Sequence, residues 1–236
     1  MGTFDHGILD NDTALDGLGD FTDGVVRDIV AAAAKKPTLT SAETLAAAVG
    51  VLLQISAYDF DPQRNGPKII AALQSRTDVI AKLSPAARKI LGAVIDGQGQ
   101  KLAARDGKRT ALDKLLAAGG KTSRFAKPHK ALFASPAAAK YVQALAKRCV
   151  ETIDEDFEDE DNWNDLCREG MGAGHLAVLT VLAPCKVSPA KISRWRKLAQ
   201  RGLASLREEP DDDLEFHEEY YANLDKVYAH LLKRFA

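Results

Sequence analysis

Large aromatic side chains are scarce in this chain of 236 residues: they make up 6% of it, and only two are tryptophan. The apolar fraction, 46%, is carried instead by alanine and small aliphatic residues, in runs such as Ala31 to Ala34 and Ala137 to Ala139. Alanine is the best helix former and β-branched residues are few, which is the composition of closely packed helices and not of a sheet. Cysteine is scarcer still. Cys149, Cys167 and Cys185 are odd in number and 18 residues apart, and lack the paired short spacings of a zinc site or the even count of a disulfide framework. They are expected to be ordinary buried thiols in a reducing compartment.

Long apolar runs are missing as well. The longest, Leu45 to Leu53, is far too short to cross a bilayer. The opening Met1-Gly2-Thr3-Phe4-Asp5 leads into acids, where a secretion signal has a basic region and an apolar run. A cytoplasmic protein without membrane contact is therefore expected. Catalytic signatures are absent too: there is no glycine-rich phosphate loop, no Gly-x-Ser-x-Gly elbow and no His-Glu-x-x-His. His6, His129, His175, His217 and His230 form no close pair, and neither acidic run has the spacing and central glycine of a calcium loop. No catalytic, cofactor-binding or metal-ligating residue is assigned on these grounds.

What the chain does contain is a series of helix signals. Ser84-Pro85, Ser135-Pro136 and Ser188-Pro189 each pair a capping hydroxyl with a proline at the first helical position, where its missing N–H costs nothing. Thr40-Ser41-Ala42-Glu43 has the form of a capping box. It is expected to open a helix carrying Leu45, Val49, Leu52 and Leu53, apolar nearly all round and so central to its bundle. From Pro189 a helix places Ile192, Trp195, Ala199 and Leu206 near one face, with Arg194, Arg196, Lys197 and Arg201 largely elsewhere. A final helix carries Tyr220, Leu224, Val227 and Leu231 on a stripe widened by Tyr221, Tyr228, Leu232 and Phe235. The apolar run Leu176 to Ala183 is read as helix from this context.

Between Ala117 and Ser135 the pattern fails, at Gly119-Gly120 and Pro128. The expected architecture is all-α, a multi-helix bundle of about nine or ten helices in one or two subdomains. Residues 1–106 form an N-terminal helical domain, 107–135 a basic connection, and 136–236 a C-terminal helical domain.

Charge is unevenly spread behind a net −1. From Lys101 to Val150 there are twelve Lys or Arg against Asp106 and Asp113, while Glu151 to Asp161 holds eight acids in eleven residues and no base. Glu208 to Glu219 holds eight more in twelve, and the stretch Asp5 to Asp28 is also acidic. Charges of one sign packed this densely repel one another and weaken the folded state, so a use for them is expected. A solvated face or flexible loop is the plain alternative. Aromatics stand within or beside both runs, and they either anchor a partner or tether the runs to the core. The candidate partner-binding residues are Asp154, Glu155, Asp156, Phe157, Glu158, Asp159, Glu160, Asp161 and Trp163 in the first run. In the second they are Asp211, Asp212, Asp213, Glu215 and Phe216. Acidic neighbours around the basic middle argue against a nucleic-acid partner.

The opening has a pattern of its own: Gly2, Gly7, Asn11, Asp12, Ala14 and Asp16, spaced as a glycine-framed entry, an Asn-Asp pair and the first turn of a helix. In this it resembles the bacterial family grouped as domain of unknown function 4259. Phe4 stands where that family usually has tryptophan, Asp5 where it often has glycine and Leu9 where it often has phenylalanine. The resemblance covers residues 1 to about 105. A structural role suffices for the motif itself, with Asp10 or Asn11 as helix cap and Gly7 at the sharp entry. The resemblance implies no enzyme activity or cofactor; some members have the character of immunity proteins that accompany bacterial toxins.

The functional expectation is a non-enzymatic binding protein, most concretely an immunity protein whose acidic surfaces engage a basic toxin such as a nuclease. Two alternatives belong to other classes. One is a hydrolase or transferase with a carboxylate and histidine site at Asp12, Asp16 or His175; the other is an adaptor that assembles with itself through opposite charges.

Overall fold

The structure is a computed structural model that describes residues 12–103, 129–158, 175, 187–208 and 214–235. It is all-α, a multi-helix bundle, with no strand among the described residues. In chain order the helices are α1 (Asp12–Ala34), α2 (Leu39–Ile55), α3 (Gly66–Gln74), α4 (Thr77–Ile80), α5 (Pro85–Ile95) and α6 (Gly99–Ala103), followed by α7 (Pro136–Glu158), α8 (Pro189–Glu208) and α9 (Leu214–Phe235). Short 3-10 turns stand at Tyr58–Phe60 and Lys130–Phe133. Among the described residues no helix is long and apolar enough to cross a membrane.

The three Ser-Pro signals act as their chemistry requires. Ser84 Oγ accepts from the Ala87 amide at 3.3 Å, Ser135 Oγ from Ala138 at 3.1 Å and Ser188 Oγ from Lys191 at 3.2 Å, each satisfying an amide that has no helical partner. The capping box of α2 lies two residues earlier than the sequence suggests. Thr38, not Thr40, is the cap: its hydroxyl accepts from the Ser41 amide while Ser41 Oγ accepts from the Thr38 amide, so Ser41 takes the place expected of Glu43. Thr40 is already helical, and its carbonyl accepts from the Thr44 hydroxyl.

Residues contact one another as two compact units, each gathered from separated stretches of sequence. The first holds described residues 22–103 and 129–145. Its centre is α2, in which every residue from Leu45 to Ile55 is buried, so its all-round apolar character is matched by neighbours on every face. Gly50 allows the Lys130–Phe133 turn to approach closely, because a Cβ there would stand 2.8 Å from Phe133 Cζ and 3.1 Å from Leu132 Cβ. Arg76 closes the end of α1. Its guanidinium donates to the carbonyls of Ala33 and Lys35, groups that have no amide partner at a helix C-terminus. Arg76→Ala is expected to lower unfolding stability by about 2 kcal/mol, since a charged donor on orphan carbonyls is lost. Urea denaturation checks this, and a loss under about 0.5 kcal/mol would show that water caps α1 equally well.

The second unit holds described residues 12–21, 146–158, 175, 187–208 and 214–235. Helices α8 and α9 pack on each other with Ile192, Trp195 and Ala199 facing Tyr220, Leu224, Val227, Tyr228 and Leu231 in the buried layer. The pairs Arg196–Asp225 and Arg207–Glu218 fix them as antiparallel, because the number rises along one helix as it falls along the other. Arg196 donates to both carboxylate oxygens of Asp225, at 2.5 and 2.8 Å, and that bonding holds its guanidinium pKa above the ordinary value. Cys149 is buried, as its apolar neighbours suggest, with its thiol donating to the His175 carbonyl. Cys167, Cys185, the run Leu176 to Ala183 and the Gly119-Gly120 break lie outside the described residues.

Candidate functional site

The first acidic run begins on the last two turns of α7. Along this helix Val142, Leu145, Cys149, Ile153 and Phe157 step by three and four into the buried layer, which leaves Glu151 and Glu155 on the exposed side. Glu151 meets Lys147 at 3.4 Å, an exposed pair one turn apart. Such a pair contributes little to stability. Glu155 has no ion-pair partner among the described residues.

Asp154 differs from its neighbours. Its phase puts it at the edge of the buried stripe, and one carboxylate oxygen accepts from the indole N–H of Trp195 at 2.6 Å while the other meets the Lys191 ammonium. Trp195 is fully buried, so this carboxylate satisfies a donor that water does not reach. Asp154 thus joins α7 to the start of α8 and is not displayed outward. Phe157, one turn on, is also buried and tethers the end of α7 to the unit's core.

The second run enters α9 at its amino end. Glu215 is exposed in the first turn, and Glu218 accepts from Arg207 of α8 at 2.8 Å. Lys191 and Arg207 lie sixteen residues apart on α8, about 24 Å along a helix axis. Asp154 and Glu218 are therefore fixed near opposite ends of one helix and do not form one cluster.

The two runs differ in a second respect, which follows from the direction of the peptide dipoles. Acids at a helix amino end are stabilised by the unpaired amides there, by about 0.3 to 1 kcal/mol each, and acids at the carboxyl end are opposed by the unpaired carbonyls. Glu215 sits in the first turn of α9, the favourable end, and serves its stability. Glu155 sits in the last turn of α7, the unfavourable end, and that turn carries no basic residue. Earlier along the helix, Lys147 meets Glu151 and Lys191 meets Asp154.

The remaining sequence candidates are only partly in view. Asp156 and Glu158 are on α7 and Phe216 on α9, with side chains outside the described part. Asp159, Glu160, Asp161, Trp163, Asp211, Asp212 and Asp213 lie outside the described residues. Of the residues weighed for catalysis, Asp16 is exposed on α1, while His175 is buried edge-on to the Phe21 ring at 6.5 Å. The side chain of Asp12 is outside the described part.

Asp154 could have been separated from Glu155 by helical phase alone, since it follows Ile153 and precedes Phe157 by three. Trp195 supplied the other half of the signal, as a buried indole needs an acceptor. Comparison of the chain with protein-family models, with curated proteins and with solved structures finds no match in any of the three.

Proposed function

We propose that this chain is a non-enzymatic binding protein that engages a basic partner through the acidic end of α7, most concretely an immunity protein blocking a cationic toxin domain such as a nuclease. The observation that carries the reading is Glu155, exposed in the last turn of α7 with no ion-pair partner among the described residues, where the helix carbonyls oppose a negative charge that a cation from outside would neutralise. A protein that keeps such an arrangement gives up stability, and a basic partner would restore it on docking. The like-charged field would also speed encounter with that partner. The resemblance of the opening segment to the domain of unknown function 4259, some of whose members accompany toxins, supports the same direction. Glu215 is assigned to helix stability and Glu218 to Arg207, so we assign the docking face to Glu151, Glu155 and the run that follows.

The test uses the product of the gene adjacent to this one, purified as an inactive basic domain, with affinity measured by calorimetry at low and moderate salt. The double variant Glu151→Lys, Glu155→Lys is expected to bind at least about tenfold more weakly, a change of about 1.4 kcal/mol. Wild-type affinity is expected to fall with added salt. Equal affinity of variant and wild type would remove the proposed face. Asp154 has no place in this variant, because its loss acts on the fold.

A further inference from the structure

A cavity of about 210 Å³ lies in the unit built around α2. The starts of α2, α5 and α7 meet at it, through Leu39, Ser84 and Ser135, and the Lys130–Phe133 turn closes its floor with Leu132. The buried apolar residues of the wall are Ala46, Ala87 and Leu132; Leu83 and Ala131 line it half-buried, and Leu39 is 45% exposed.

Two opposite charges flank this hollow. Glu43 comes from α2, one turn after Leu39, and Lys82 from the link between α4 and α5. Neither forms an ion pair or hydrogen bond with any described residue, and so they do not pair with each other across the space they share. Ser84 and Ser135 line the same pocket. Each hydroxyl already accepts from a helix amide and keeps its own proton to donate. The cavity therefore presents an ammonium and two hydroxyl donors, one carboxylate acceptor, and a floor of small apolar side chains.

That set is complementary to a ligand with a carboxylate, an ammonium and a short aliphatic body. An anion alone would meet Glu43 and a cation alone would meet Lys82. Only a molecule carrying both charges leaves neither facing its like. Size narrows the choice further. The volume lies above the roughly 150 Å³ that holds a benzene ring and below the roughly 300 Å³ at which pockets for larger ligands begin.

We propose that this pocket binds a free aliphatic α-amino acid of about the size of leucine. Lys82, Ser84 and Ser135 receive its carboxylate, Glu43 its ammonium, and Ala46, Ala87 and Leu132 its side chain. The contacts are few and the mouth is open, so the expected dissociation constant lies between about 10 μM and 1 mM.

The test is a calorimetric titration of the full chain with L-leucine, beside 4-methylpentanoate, which lacks the ammonium, and 3-methylbutylamine, which lacks the carboxylate. Saturable binding of leucine, with each analogue at least about tenfold weaker, is the expected result. Glu43→Gln and Lys82→Met are each expected to weaken leucine about tenfold with the melting temperature of the free protein unchanged, since neither side chain holds a partner among the described residues. No saturation by about 10 mM leucine, an analogue binding as well as leucine, or full affinity in Glu43→Gln would each overturn the assignment.

Discussion

Asp154→Ala is expected to cost the fold about 2 to 3 kcal/mol, whereas Glu155→Ala, one residue on, should change stability by less than about 0.5 kcal/mol. Most of the loss comes from the indole of Trp195. It is fully buried, and its N–H has Asp154 as acceptor at 2.6 Å, so the variant leaves a desolvated donor with nothing to bond. The Lys191 ion pair adds less. Its two side chains are 36% and 20% exposed, and solvent screens much of its value.

In a thermal melt the combined loss corresponds to a fall of roughly 5 to 10 °C for a chain of this size. A double-mutant cycle isolates the contact. Trp195→Phe removes the donor and leaves a small void, and once it is gone Asp154→Ala should cost about 1 to 2 kcal/mol less than in the wild type. If the two changes simply add, the indole and the carboxylate are not coupled and Asp154 does not hold this joint. The same contact bears on any binding experiment: a weakened Asp154→Lys variant would report a disturbed helix junction, not a lost interface.

Gly99→Ala is the second change expected to be severe, at about 2 to 3 kcal/mol. A Cβ at this position would stand 2.3 Å from Cδ1, 2.6 Å from Cγ and 2.9 Å from Cβ of Phe60. Cδ1 and Cγ belong to a ring that is held in place by burial, and Cβ is not moved by any rotamer change. Either α6 or the Tyr58–Phe60 turn must move, and with it the bond from Gln100 to Asp61 at 3.2 Å. Gly92 provides the control. It lies within α5, and a Cβ there meets nothing within 4 Å, so Gly92→Ala is expected to stabilise by about 0.5 to 1 kcal/mol through helix propensity alone. Midpoints of guanidinium unfolding should move in opposite directions for the two variants. A Gly99→Ala protein as stable as wild type would show that the contact with Phe60 yields easily.

Much of the secondary structure was legible because its causes are short-range. The Ser84, Ser135 and Ser188 caps each act on an amide three residues ahead, and the periodic apolar positions of α2, α8 and α9 mark a buried side whatever lies opposite. The start of α2 was misplaced by one such competition. Thr38 and Thr40 are both good caps, and the earlier turn wins, closed by the Ala42 amide on the Thr38 carbonyl at 3.1 Å. That extra turn carries Leu39 to the cavity wall.

The candidate sites were less legible, for different reasons. The first acidic run reads as uniform, yet Asp154 is spent on Trp195 and Lys191, 41 and 37 residues further on, while Glu155 beside it is exposed. Nothing in the run itself names those partners. The hollow between Glu43 and Lys82 left no trace in the sequence, since its wall is drawn from residues 39–46, 82–87 and 131–135.

The amino-acid sequence by itself determined that this chain is helical, where α5, α7 and α8 begin and which sides of α2, α8 and α9 are buried, because caps and periodicity depend on neighbours within about one helical turn. The tertiary structure alone decided which carboxylate is structural and which faces outward, which glycine must remain glycine, and where opposite charges stand apart across a cavity. Those outcomes depend on distances between segments far apart in the chain, and such distances exist only once the helices have packed.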